Sequence, residues 1–452
     1  MTKTAITELT TTGPVFQPGD DGYDTEIAGF QTSYAHRPAV VVGAAHAEDV
    51  RAAVEYAARQ GLPVAVQATG HGLSVPVEGG VLINTRRLTD IRIDPATRIA
   101  RIGAGVNAGA LIEAAAAHGL APLNGSSLSV GVVGYTLGGG VGILAREFGY
   151  AAEHVRGIEI VTADGRLRRL RAGDELFGAV LGTGGNFGVV TALELELLPV
   201  TTVYGGQLQF DTPLVATALE AWRQWTRDLP EQMSSAFTAM VMPDIPQLPP
   251  HLRGRYLATV NIAFTGSAEE GDRLVAPLRA IGERFADDLR VMPYTETHGI
   301  YRDPDEPHPY TATNALLAEL PAEAAAAFLA ATGPDSPLPV VAGFRHLGGA
   351  LRRRGPNAIT MDHRDAEYVA RVIAMPGPDA DTIREGLAQL RKTLQPWDIG
   401  HNLNFLYGGA DFADEAQTRA GYSESTYERL AALKSKYDPA NLFRANRNIR
   451  PH

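Results

Sequence analysis

Glycine and its placement constrain this chain more than any other feature. There are 48 glycines in 452 residues, about one in nine against the roughly 7% of an average protein. They gather in loops that follow apolar runs. Gln67-Ala68-Thr69-Gly70-His71-Gly72 comes after Leu62 to Val66, and a dense stretch runs from Gly125 to Gly142. A further loop, Gly182-Thr183-Gly184-Gly185-Asn186-Phe187-Gly188, precedes Val189 to Leu197. Glycine adopts positive φ freely and lets backbone come close to a ligand. A loop at the end of a buried strand can aim its N–H groups at phosphate oxygens. The pattern calls for a fold in which several strand ends converge on one long ligand.

The segments between the loops give the architecture. Ala39 to Val42, opened by Pro38, reads as a buried strand. Residues 46–60 carry apolar positions at helical spacing and stop at Gly61, and Leu62 to Val66 is the next strand. Such a strand–helix–strand unit predicts a parallel pair joined by a right-handed crossover. Further strands are expected at 81–84, 90–94, 99–102, 157–162, 166–170 and 189–197, with helices at 107–118 and 174–180. After Pro199 the texture changes. Alternating segments (203–210, 235–242, 256–264, 338–349, 366–375) interleave with alanine-rich helices (213–227, 267–285, 321–332, 379–394), which reads as an α+β unit on an antiparallel sheet. The expected division is 35–200, 201–410 and a C-terminal segment 411–452 that opens with a charged helix at 424–437.

Composition excludes several functions. Forty basic against 51 acidic side chains leave a formal charge of −11, which repels nucleic acid and anionic membranes at long range. No apolar run reaches the length of a spanning helix, and the opening MTKTAITELTTTGP is no signal peptide. Cysteine is absent, which removes disulfides, thiolate metal sites and cysteine nucleophiles and fits a cytoplasmic protein. There is no Walker loop and no HExxH, and no metal site is expected. Gly72-Leu73-Ser74-Val75-Pro76 fails the serine-hydrolase elbow at its last position. The arginines at 166, 168, 169 and 171 read as a solvated strand edge. Gly103-Ala104-Gly105-Val106-Asn107-Ala108 fits the first half of a Rossmann fingerprint, but no acid occurs from Ala114 to Arg146, where the ribose ligand belongs, so a plain strand–turn–helix is expected.

In order along the chain, Gln67-Ala68-Thr69-Gly70-His71, Val130-Gly131-Val132-Val133-Gly134-Tyr135-Thr136-Leu137-Gly138-Gly139-Gly140, Glu175-Leu176-Phe177 with Gly184-Gly185-Asn186-Phe187-Gly188-Val189-Val190, and Tyr437-Asp438-Pro439-Ala440-Asn441-Leu442-Phe443 through Ile449 resemble a known family. It is the FAD-dependent oxidases of the vanillyl-alcohol oxidase / p-cresol methylhydroxylase superfamily, berberine-bridge-enzyme-like branch, across essentially the whole chain. The resemblance implies a two-domain α+β fold: an FAD-binding domain to which the tail returns, and a substrate domain covering the isoalloxazine ring. It implies that Ala68, Thr69, Gly70, His71 and Gly72 hold the pyrophosphate region. Ser127, Val130, Gly131, Gly134, Tyr135, Gly138, Gly139 and Gly142 would line FAD, and Val190, Asn446 and Asn448 would complete the site. His71 matches the histidine that carries FAD at its 8α-methyl. A second, cysteine link is impossible, because Ser127 stands at that position.

Three departures from the family pattern matter. Gln67 and Thr69 replace an arginine and a glycine. Val130 stands where the family relates a small residue to oxygen access, which leans toward an oxidase. The tyrosine of a Tyr-x-Asn segment is replaced in Asn402-Leu403-Asn404, and an amide is no base. The candidate bases are Tyr407, Tyr368 and Tyr135, with His363 beside the same expected strand as Tyr368. The expected activity is hydride transfer from a small organic alcohol, amine or phenolic natural product to FAD, with O2 as acceptor and H2O2 as product. A flavin dehydrogenase or oxidative cyclase, a silent FAD-binding protein and a nicotinamide dehydrogenase are the alternatives, and oligomeric state stays open.

Overall fold

A computed structural model describes residues 9–355, 357–375, 379–407 and 414–452. The expected boundary between residues 410 and 411 lies outside the described residues.

The N-terminal part holds two small sheets. In the first, the order is Val15–Phe16, Val40–Gly43, Val81–Asn84, Val64–Gln67, with the last three parallel. Val40–Gly43 and Val64–Gln67 are therefore not neighbours, contrary to the parallel pair expected from the strand–helix–strand unit. Val81–Asn84, buried on both faces, lies between them and pairs with each. The connecting helix Ala47–Gln60 buries Val50, Ala53, Val54 and Ala57 and ends at Gly61 (φ 65°), as the sequence indicates. The second sheet, Ile91–Asp94, Ile99–Gly103, Val189–Glu196, Val155–Val161, Leu167–Leu170, is antiparallel throughout. Arg168 and Arg171 at its edge pair with Asp164 and Glu194.

Residues from 202 onward form a nine-stranded antiparallel sheet. Its central order is Thr202–Phe210, Tyr256–Phe264, Met233–Val241, Val340–His346, Tyr368–Ala374, Thr311–Leu317. The strand Thr311–Leu317 has no counterpart in the sequence reading, since TATNALL carries neither clear alternation nor aromatic side chains. Helices Val215–Trp225, Ala268–Arg279, Ala322–Thr332 and Ala380–Leu394 cover one face. Val340, Ala342, Phe344, Tyr368, Ala370 and Val372 pack there around the fully buried Trp222 and Phe237. Period-2 alternation then turns Val341, Gly343, Arg345, Val369, Arg371 and Ile373 to the other face, toward the N-terminal sheets.

The tail runs back to the first sheet. Helix Glu424–Tyr437 buries Tyr427, Leu430 and Leu433 in the N-terminal core, and Leu442 O accepts from Val64 N at 2.9 Å. Lys434 is fully buried and ion-paired to Asp438 at 2.8 Å, donating also to Asn186 O (2.6 Å) and Phe443 O (2.9 Å). Such a buried pair persists because every donor finds a partner. No helix among the described residues is long and apolar enough to cross a membrane.

Candidate active site

A cavity of about 450 Å³ opens between the glycine loops and the polar face of the large sheet, within the size range of small-molecule sites. One wall is almost entirely backbone. Loop 67–72 continues the edge strand Val64–Gln67. Its carbonyls at Thr69 and Gly70 accept from Phe30 N (2.9 Å) and Gln31 N (3.1 Å). Gly70 (φ 75°) leaves room for nothing larger, since a Cβ there would stand 2.5 Å from Gly29 Cα. The two departures from the family pattern are clamps. Gln67 Nε2 donates to Ile27 O (3.0 Å) and Ala28 O (3.1 Å), and Thr69 Oγ1 accepts from Gly131 N at 3.2 Å, fastening the two glycine loops together. The long glycine stretch contains a short helix, Val132–Leu137, which the sequence reading took for loop.

His71 sits on this wall. Its ring stacks on Phe30 with centroids 3.7 Å apart, and Nε2 lies 2.9 Å from Ser129 Oγ, which is 3.0 Å from Ser127 Oγ. Tyr310 donates to His71 O at 2.6 Å. Burial, aided by His308, pushes the imidazole down to about 4. At neutral pH it is uncharged and keeps a lone pair.

The opposite wall is made of side chains. Arg345 is 5% exposed. It donates to Val141 O at 2.9 Å, and its guanidinium lies 5.0 Å from the Tyr301 ring. Arg371 lies 4.2 Å over the Phe405 ring. Tyr407 extends the sheet by one bridge to Ala312, which turns its ring into the cavity. The Tyr310 ring meets it edge-on at 5.7 Å. Burial raises the Tyr407 phenol while Arg371 and Arg345 pull it down. Asp303 also lines the cavity and accepts from Ser126 Oγ.

Most of the expected residues meet here. Ala68, Thr69, Gly70, His71, Gly72, Ser127, Val130, Gly131, Gly134, Tyr135, Gly138, Val190, Asn446 and Tyr407 line one cavity. Five do not. Tyr368 faces the helices, 6% exposed, with its hydroxyl 2.8 Å from Thr226 Oγ1; it stands three residues from Arg371, so alternation turns it the other way. His363 has Nε2 3.1 Å from Ala420 O. Gly139 and Gly142 lie behind the wall, where a Cβ would meet Met361 Sδ at 2.6 Å and Asn124 O at 2.3 Å. Asn448 is off the wall too, with its Oδ1 buried and unpartnered. Asn402 bonds to Asn314 on the strand below (2.9 and 3.0 Å). Asn404 Nδ2 holds Tyr135 O at 2.9 Å. The Rossmann-like glycines are packing devices: Cβ atoms at Gly103 and Gly105 would fall 2.2 Å from Leu88 O and 2.5 Å from Thr85 O. Asn107 caps the helix that follows. The sequence reading did not single out Arg345, Arg371, Asp303, His308, Tyr310 or Ser129. The signal for the two arginines was a lone cation inside an otherwise apolar strand, VVAGFRH and YVARVIA.

The donor set suits FAD. Glycine-lined backbone, paired serine hydroxyls and a neutral imidazole line a long groove, and the Oδ1 of Asn446 is buried there without a partner. Residues 38–171 match the family model "FAD binding domain" and residues 409–450 match "Berberine and berberine like". The chain is 28% identical to (R)-6-hydroxynicotine oxidase of Paenarthrobacter nicotinovorans, over 100% of this chain and 99% of that protein. It is 25% identical to an FAD-linked oxidoreductase of Dictyostelium discoideum, over 97% and 95%. The crystal structure of 6-hydroxy-D-nicotine oxidase from Arthrobacter nicotinovorans superposes with a TM-score of 0.87 at 27% identity, covering 99% of this chain and 100% of that one. Chitooligosaccharide oxidase, 19% identical with a TM-score of 0.83 over 97% of each chain, shares the fold. Backbone wall, neutral histidine, returning tail and full-length relatives agree: the chain is an FAD-dependent oxidoreductase with an FAD-binding domain and a berberine-like C-terminal segment, similar over its whole length to 6-hydroxynicotine oxidase.

Proposed function

We propose that the protein is an oxidase that carries FAD on a single covalent link through His71 and oxidises a small organic alcohol, amine or phenolic compound with O2, releasing H2O2. The observation that carries this reading is His71, held neutral by burial and stacked on Phe30 at the wall of the cavity. In this reading residues 35–200 and the tail 411–452 form the cofactor unit, and 201–410 form the substrate unit.

FAD held there would supply two-electron redox chemistry, taking up a hydride equivalent from substrate and returning the electrons to O2. Substrate loses H⁻ and H⁺, and O2 gains both with no net change in charge. The chain supplies the rest. Loops 67–72 and 125–138, with Val190 and Asn446, hold the cofactor. Ser129 orients the His71 ring through Nε2, and Ser127 takes no part in a second link. In this reading Tyr407 accepts the substrate proton as the phenolate, the form that the Arg371 and Arg345 guanidiniums favour and burial opposes. Proton transfer at a positioned group contributes ~10²–10⁴ in rate.

Acid precipitation followed by peptide mass analysis tests the cofactor claim. Colour in the pellet with an FAD adduct on the His71 peptide is the expected result. Colour in the supernatant overturns the link, and a colourless protein that takes up no FAD overturns the reading. One H2O2 per substrate oxidised separates oxidase from dehydrogenase.

A further inference from the structure

We infer that the substrate carries a carboxylate and that Arg345 and Arg371, on the sheet wall of the cavity, bind it. The inference rests on the flavin-oxidase reading, which places substrate against that wall.

Two guanidiniums face one enclosed space. They lie on neighbouring strands, at cavity-facing positions of Val340–His346 and Tyr368–Ala374. Among the described residues neither has a carboxylate at ion-pair distance, whereas Arg364 (2.9 Å to Glu153) and Arg223 (2.6 Å to Glu220) do. Arg345 spends one nitrogen on Val141 O, and its Nε is buried without a partner. Arg371 has an aromatic face beneath it at 4.2 Å and interacts with the Tyr407 hydroxyl. Burial and the Arg345 charge both work against the Arg371 cation.

Unpaired buried charge is costly, so a wall that keeps two such cations is built for an anion that arrives. Asp303 is the acidic group facing them, and it already accepts from Ser126. One carboxylate against two guanidiniums leaves a net positive site. Each guanidinium lies near an aromatic ring, Arg371 over Phe405 and Arg345 over Tyr301, and a guanidinium's fork of N–H donors suits a planar two-oxygen anion. The aromatic surroundings suit an arylalkyl or aromatic acid over a phosphate or sugar.

Calorimetric titration of the holoprotein with benzoate, phenylacetate and indole-3-acetate, each against its neutral amide, tests this. Wild type, Arg371→Met, Arg371→Lys and Arg345→Met are compared at equal flavin content. The expected result is acid binding at least ~10-fold tighter than amide. Arg371→Met should remove that preference and Arg371→Lys should retain part of it. Amides binding as tightly as acids, no acid binding at all, or a preference unchanged in both Met variants overturns the proposal; in the last case the cations serve the flavin. Failure of the flavin reading shows separately, as a colourless protein, and the acid–amide comparison still decides the charge question.

Discussion

The two walls of the cavity recognise by different means. The loop wall uses backbone: Gly70, Gly131, Gly134 and Gly138 bring main chain to the ligand, Gln67 clamps its loop to residues 27–28, and Thr69 holds the two glycine loops in register. The sheet wall uses side chains: Arg345, Arg371 and Tyr407 reach in from strands whose other face is a closed apolar core. A backbone wall tolerates change only where a Cβ fits and therefore serves a fixed cofactor. A side-chain wall can be rewritten one residue at a time with little effect on the core behind it, and so serves a varying substrate.

Changes on each wall should separate accordingly. The largest effect is expected on the sheet wall. Tyr407→Phe should lower kcat by ~10²–10⁴ while flavin content and absorbance stay at wild-type values. Stopped-flow reduction of the flavin reads this directly, and an unchanged rate transfers the proton-accepting role to Tyr135. Next comes a contrast within the loop wall. Gly70→Val meets Gly29 Cα at a positive φ and should cost ~3 kcal/mol in urea unfolding together with much of the bound flavin. Gly72→Ala, with nothing within 4 Å and no positive φ, should leave both unchanged. Equal effects at the two positions would mean that glycine serves something other than close approach.

The smallest effect near neutrality is acidic. His36, His71 and His401 are each pushed down by burial to about 4. They are neutral in the fold and protonated when unfolded below about 6.5. The unfolded chain then binds more protons, so stability is full above pH 6.5 and falls as pH drops toward 4. The loss is about 1 kcal/mol at pH 5.5 for His36, which borders the cavity and whose Nδ1 accepts from Val77 N at 3.0 Å. His36→Asn should flatten that part of the pH profile in thermal melts, and a profile as steep as wild type would remove His36 from the account.

The same contrast explains what the sequence disclosed. The loop wall was legible because glycine clusters are local, as were the helix end at Gly61 and the strand–turn–helix that imitates a Rossmann loop. The sheet wall was not. The alternation in YVARVIA says that Tyr368 and Arg371 face opposite ways, but not which way is inward. That depends on helices such as Ala322–Thr332 and Ala380–Leu394 packing on one side, a tertiary fact. Tyr368 was accordingly a candidate and Arg371 was passed over. Thr311–Leu317 went unseen because its neighbours across the sheet, and not its own side chains, make it a strand. The insertion of Val81–Asn84 between two strands earlier in the chain is likewise a matter of pairing that no local pattern records.

The returning tail has a consequence for the order of synthesis. Asn186 is held to Arg447 O and Ile449 N across 261 and 263 residues of sequence, and strand Val64–Gln67 waits for Leu442. A growing chain exposes the glycine loops hundreds of residues before the segment that braces them. The cofactor wall can settle only once residues 442–449 have been made, and contacts of such long sequence separation form slowly. Flavin capture would then be a late event in the life of each molecule, after the large sheet has had time to fold.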